Sequence, residues 1–425
     1  MKVLRYIYTA ALLAMTAVIH SCDMFRDVSD IGDIETFSIS INTRSMVEGI
    51  SPIDLTIQLV NAKEDINRSV PVTGATTVVD GLMPGTYHIN IGGNVKSSVD
   101  GKTYYMNASQ SNIAVVTNDI ELTFNVTGAM ASALVFKEIY WSCTKNAIGS
   151  GNYLVEQFYE IYNNSDATIY IDGLYLSALY PLATTATPPN WGTIDSENNV
   201  FGTWVFQIPG EGSDYPLEPG ESCIIASMAL DHKNLQNSNS PVNLGDAEFE
   251  CYTGHALGNQ PAPNMMLAYY TSNNVPAQFL ATTNGPAVAL FRVPEDVDWN
   301  PGNPESPYRV KPTTGNTFYA MISNDWLYDV VECGLDETKL VQKRIPAVLD
   351  AGMAYVGATY NGLGIRRKLT DVETPQGTPI YQDTNNSTND FEMGVVPEPR
   401  YNNAKMPSWN WSLQGNSGNA EDDNQ

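Results

Sequence analysis

The chain has 425 residues, enough for two or three domains with cores of their own, and 43% of them are hydrophobic. Asp and Glu outnumber Lys and Arg by 47 to 22, a formal charge of −25. That balance argues against a nucleic-acid partner, whose phosphates must be neutralised by Lys and Arg, and suits a protein that stays dissolved beside an anionic surface.

The first residues, "MKVLRYIYTAALLAMTAVIHSCD", place Lys2 and Arg5 before an apolar run from Ile7 to Ile19. The run is shorter than the ~20 residues of a spanning helix and has the layout of a secretory signal. It ends in Ile19-His20-Ser21-Cys22, which resembles a bacterial lipobox with Cys22 as the lipid-bearing residue, although His20 fits loosely. The resemblance implies a leader over 1–21, an acidic tether over 22–36, and an exported body held on a membrane by lipid at Cys22. Four further cysteines, Cys143, Cys223, Cys251 and Cys333, allow three pairings. None has C-x-x-C spacing, so a zinc cluster is not expected; disulfides and buried thiols stay equally open.

From Phe37 the pattern alternates with period two. "FSISIN", "DLTIQLV", "TTVVD", "TYHINI", "KTYYMNAS", "IAVVT" and "IELTFNV" predict seven short strands over 37–127, each separated by turn residues. Within them, "VVDGLMPGTYHINI" resembles the hairpin of the prealbumin-like sandwich of carboxypeptidase regulatory domains. His88 is expected to face solvent between Tyr87 and Ile89.

A small-residue stretch, "GAMASAL", leads into a second region over 134–403. There, Glu156, Phe158, Glu160, Ile161, Tyr162, Asn163 and Gly173 fall where the lamin tail domain, an Ig-like sandwich, carries its hallmark run. "LEPGESCIIAS", "GPAVALFR", "DWLYDVVECG" and "GLGIRRKL" resemble its later strands, with Arg366 or Arg367 at the family's Arg. Insertions over 178–203, 258–282 and 299–316 depart from the compact pattern. The fold expected is all-β: a prealbumin-like β-sandwich, then a larger lamin-tail-like one, then a polar tail over 404–425. This arrangement resembles a lipoprotein family of gut Gram-negative bacteria that carries a domain of unknown function.

"DTNNSTNDFEMG" begins like a calcium loop, with Asp383, Asn385 and Ser387 at alternate positions. Thr388 stands where a Gly is needed and Gly394 where a chelating Glu is needed, so the stretch reads as a turn that aims Phe391 into the core. Replacing Asp383 is therefore expected to cost far less than replacing Phe391. No metal or other cofactor is called for.

No G-x-S-x-G elbow, H-E-x-x-H or phosphate loop occurs. His232 and His255 read as residues of polar loops, with nothing in their spacing to unite them. The expectation is a protein that is not an enzyme. It would bind a partner at the outer membrane or cell surface, serving as accessory to an uptake receptor; a glycan-binding module is the alternative, and a hydrolase a remote third. The insertions carry Trp191 and Trp299, residue types that serve as binding anchors or glycan platforms; both are the candidate ligand-binding residues. Trp409 and Trp411, in the tail, raise the same question.

Overall fold

A computed structural model describes residues 35–414 except 62, 100–102, 130–131, 186, 273, 278 and 375–376. Cys22, the leader, most of the tether and residues 415–425 lie outside the described residues. The described chain is nearly all β, with one four-residue α-helix, Ser387–Asp390, and short 3-10 turns.

The first seven strands are β1 (Phe37–Ser45), β2 (Thr56–Asn61), β3 (Ile66–Pro71), β4 (Thr76–Leu82), β5 (Gly85–Lys96), β6 (Thr103–Val115) and β7 (Ile120–Ala129). They hydrogen-bond in the order β3-β2-β5-β6-β7-β1-β4, with β1 and β7 parallel. Alternate residues from both halves of this folded sheet (Ile39, Ile41, Ile57, Leu59, Ile89, Ile91 and Phe124 among them) close one core, as period-two patterning requires. The strands differ from those expected in two places. β3 was not anticipated: it is a mostly exposed edge ending at Pro71, so it carries no apolar alternation. "KTYYMNAS" and "IAVVT" are one strand, β6, interrupted by a bulge at Ser111 and Asn112 opposite His88, with Asn112 at φ +61°.

The second sandwich stacks two sheets. The smaller runs Phe249–Glu250, Ser222–Ala226, Phe158–Asn163, Leu134–Tyr140, Gly364–Arg367 and Phe391–Val395; the larger contains Tyr319–Ser323, Asn199–Gln207, Tyr175–Leu179, Ala287–Phe291 and Leu327–Gly334. Phe136, Ile161, Ile225, Ile365 and Phe391 from the first meet Leu176, Phe206, Leu290 and Val331 from the second. Both outer faces are also covered. Trp299 packs on Phe291 and Val205 behind the larger sheet. Val242, Leu244, Ala247 and Trp411 pack on Tyr140, Phe158 and Ile224 behind the smaller.

That covering corrects two expectations. The insertions are not bare loops: 258–282 contains the strand Met266–Tyr270, and 178–203 runs into Asn199–Gln207. Within 404–414, expected to belong to a polar tail, Trp409–Trp411 are packed. The Trp409 indole donates to Pro216 O at 2.7 Å, the Trp411 indole to Ala247 O at 2.8 Å, and Asn410 is fully buried.

The same C-terminal segment lies over a row of buried charges on the smaller sheet. Glu160 pairs across from Glu138, and a bulge leaves Lys137 as the extra residue on its strand. The bulge turns Lys137 to Glu138's side of the sheet, where its ammonium bonds both Glu160 oxygens at 3.0 and 3.1 Å. Arg366 reaches Glu138 at 3.3 Å, and Arg400 reaches Glu248 at 2.7 Å. The backbone N–H groups of Glu398 and Arg400 close the row on Glu138 and Glu160.

Among the described residues the two sandwiches touch at two places. Val60 of the first packs on Leu340 and Met353 of the second. Further along the same face, the Asn107 carboxamide donates to the carbonyls of Thr384 and Asn385.

Candidate functional site

A crevice lies where the first insertion meets the larger sheet. Tyr175–Leu179 runs directly into Tyr180 and Pro181, and Asn199–Gln207 brings up Val200 and Phe201 beside them. Trp191 folds back so that its ring stacks on Phe201, with centroids 3.5 Å apart, and meets Tyr180 and Tyr319 edge-on. Pro188 and Pro189 form the rim, and residues 343–346 the opposite wall. The space enclosed is about 120 Å³.

One buried carboxylate fastens that wall. Glu332 accepts the backbone N–H groups of Arg344 and Ile345 at 2.9 and 2.8 Å and the Arg344 Nε at 2.6 Å. Burial alone would raise its pKa, but Arg344 and Lys343 outweigh burial and hold the carboxyl below its usual range. The rest of the Arg344 guanidinium donates to the carbonyls of Pro181, Leu182 and Cys333. The Lys343 ammonium donates to Gly352 O. Both cations beside the crevice are therefore engaged elsewhere, and its lining mixes apolar and aromatic side chains with polar groups, Thr185, Ser196 and Asn199 among them.

Neither candidate tryptophan is an exposed platform. Trp191 is 8% and Trp299 9% exposed. The Trp299 indole donates to Met321 O at 2.8 Å, and its ring meets Tyr175 and Phe291 edge-on. The outer face of the larger sheet is apolar, so these side chains are drawn onto it instead of into solvent. Trp191 still borders the crevice.

The histidines also differ from expectation. His88 is buried against the second sandwich, its Nδ1 2.8 Å from the Ser111 hydroxyl. Burial, reinforced by the Lys343 charge, pushes its pKa down to about 3. His232 is fully buried, held by the Tyr153 hydroxyl at 2.6 Å and Met228 O at 3.0 Å. His255 is half-buried in its loop and accepts the Leu257 N–H. Cys143, Cys223, Cys251 and Cys333 are all buried free thiols. Among the described residues no group of three His, Cys, Asp or Glu side chains could hold a metal ion.

The 383–390 stretch is a turn leading into the Phe391–Val395 strand, with Phe391 2% exposed in the core. Asp383 is not incidental to it. It accepts the Ser132 N–H at 2.7 Å and lies 3.4 Å from the Arg367 guanidinium. Arg367 also meets Asp329 and, at 3.7 Å, Asp390; all four are buried. Of the two candidate arginines, Arg367 enters this cage and Arg366 pairs with Glu138 on the other face. Adjacent arginines in a strand were the visible signal; the three acids came from segments too far apart in sequence to connect.

Stacked antiparallel sheets, a second core in front of them and insertion segments sealing their outer faces define an all-β sandwich protein. The chain belongs to the DUF4876 family, described as "Protein of unknown function (DUF4876)", whose model matches residues 218–398. Among solved structures it is similar to a DUF4876 family protein from Bacteroides thetaiotaomicron VPI-5482. The two are 38% identical, with 89% of this chain and 100% of that one covered and a TM-score of 0.64. No curated protein matches.

Proposed function

We propose that this protein is an exported, non-catalytic binding protein, tethered to the outer membrane by lipid at Cys22, that captures a protein partner by one apolar side chain. The crevice beside Trp191 carries this reading. At about 120 Å³ it is smaller than the ~300–1,000 Å³ of sites for whole small ligands. It is close to the size of a cavity that holds a single aromatic ring. A neutral socket of that size suits an anchor residue of a partner surface. An outer-membrane uptake receptor is the partner class that the tether makes available.

The size and lining also weigh against the glycan alternative. A sugar needs an open aromatic face and unspent hydrogen-bonding groups, whereas the Trp191 ring is stacked on Phe201 and Arg344 is fully engaged. The prealbumin-like and lamin-tail-like resemblances of the two sandwiches add scaffolds, not chemistry.

Ser196, exposed on the rim and bordering the crevice, offers the test. Ser196→Trp should fill the socket and remove partner proteins that co-purify with the wild type from solubilised membranes, while leaving the unfolding midpoint unchanged. Equal recovery of the same partners would sink the socket reading. Glycan-array binding that Ser196→Trp abolishes would favour the second.

A further inference from the structure

The cage around Arg367 holds more negative charge than it can neutralise, and it sits at a contact between the two sandwiches. Arg367 Nε donates to Phe136 O at 2.7 Å and Nη1 to Gln382 O at 2.9 Å. The remaining contacts are to three carboxylates: Asp329 on the Leu327–Gly334 strand, Asp383 in the turn and Asp390 in the short helix. One guanidinium thus faces three buried acids.

Those acids organise the surface that grips the first sandwich. Asp390 accepts the Thr384 N–H at 2.9 Å, the Thr384 hydroxyl at 2.6 Å and the Asn386 N–H at 3.2 Å, fixing the turn whose Thr384 and Asn385 carbonyls receive Asn107. Asp383 holds Ser132, where the chain enters the second sandwich, and the Ser132 hydroxyl donates to Tyr328 O beside Asp329.

We propose that the Arg367 cage is a proton-operated clasp: with a proton on the cage the turn holds the first sandwich against the second, and with the proton gone the excess negative charge loosens the turn and releases that grip. The surrounding groups fit the role. Burial raises Asp329, Arg367 draws it back, and the Asp383 and Asp390 charges raise it again, leaving it at about 7. Asp390, by the same opposition of burial, Arg367 and Asp383, stands at about 6. Both folded values lie above the usual 3.8, so the contribution is present in acid and is lost as pH rises through them.

The other charges packed around the cage are spent. Lys368 donates to Asn389 O, and Asp350 is engaged by the Ser387 and Gly352 N–H groups. Glu332 is paired with Arg344, and Lys137 and Glu138, on the strand that supplies Phe136, are paired on the opposite face with Glu160 and Arg366. At the other inter-sandwich contact His88 faces Lys343, and His88 gains its proton only near pH 3, below the range in which the cage titrates.

Spin labels at Glu121→Cys and Glu211→Cys, exposed positions on the two sandwiches, in a chain carrying Cys22→Ser, report the clasp by their distance distribution. Between about pH 5.5 and about pH 8.5 the short-distance population should fall by roughly half or more, with far-ultraviolet dichroism unchanged. Asp390→Asn, which removes one negative charge, should keep the short distance at the higher pH. A wild-type distribution that does not move overturns the proposal. So does an Asp390→Asn distribution that moves as the wild type's does. Should Asp390→Asn fail to fold, Asp329→Asn and the wild-type titration decide on the same criteria.

Discussion

Phe391 lies under the Arg367 guanidinium, whose central carbon is 4.6 Å from the ring centroid. Its replacement removes core volume at the edge of both sheets, so Phe391→Ala should cost ~3–5 kcal/mol in a urea melt. Asp383→Ala should cost about 1–3 kcal/mol, since the half-buried Ser132 N–H loses its acceptor. The loss is partly offset because one of three crowded negative charges also goes. His88 sets a different slope. Its folded pKa, about 3, lies below the ordinary histidine value of 6.5, so the unfolded chain binds the extra proton. The stability His88 supplies is therefore present above about pH 6.5 and lost as pH falls toward its folded value. His88→Gln should flatten that acid limb in melts taken across the window; an unchanged slope would place the titration elsewhere.

At the scale of elements, the segment 183–199 shows why insertions need not be dispensable. Its Trp191 is buried on Phe201 and Tyr319; Asn190 O accepts the Thr313 N–H; and the Glu197 and Asn198 carbonyls hold Asn324. Shortening a free loop costs little entropy, but deleting this one strips an apolar face and several hydrogen bonds. The deletion should lower the unfolding midpoint markedly, not leave it intact, with Trp191→Ala alone costing ~3–5 kcal/mol. The strands were legible wherever one face is buried and the other wet, as in "FSISIN" and "TYHINI". β3 was hidden because a solvated edge needs no apolar alternation, and the β6 bulge because Asn112 breaks the period that betrays a strand. The crevice was legible only as an insertion with an aromatic residue in it. Its shape depends on Glu332 holding residues 343–346, a pairing that local pattern does not contain. The exposed placement expected for His88 failed for the reason that also buries Trp191 and Trp299. A second layer covers faces that a lone sandwich would leave wet, and the layer is made of distant segments.

Across the whole molecule, the proposed tether sets where the crevice and the clasp operate. Cys22→Ala should shift the body from the membrane pellet to the soluble fraction after carbonate washing; continued pelleting would locate the anchor elsewhere. The four thiols of the second sandwich carry a separate consequence. Burial pushes Cys223, Cys251 and Cys333 well above the ordinary thiol range and Cys143 above it as well, so none is reactive while its core is closed. Each becomes alkylatable only when the segment that bears it comes away; Cys223 and Cys333 lie on strands of opposite sheets, and Cys143 and Cys251 follow the ends of two strands of the smaller sheet. The native chain thus contains its own stopwatch for opening. The order in which an added maleimide mass-tags the four sites will give the order in which the sandwich comes apart, with no label engineered in.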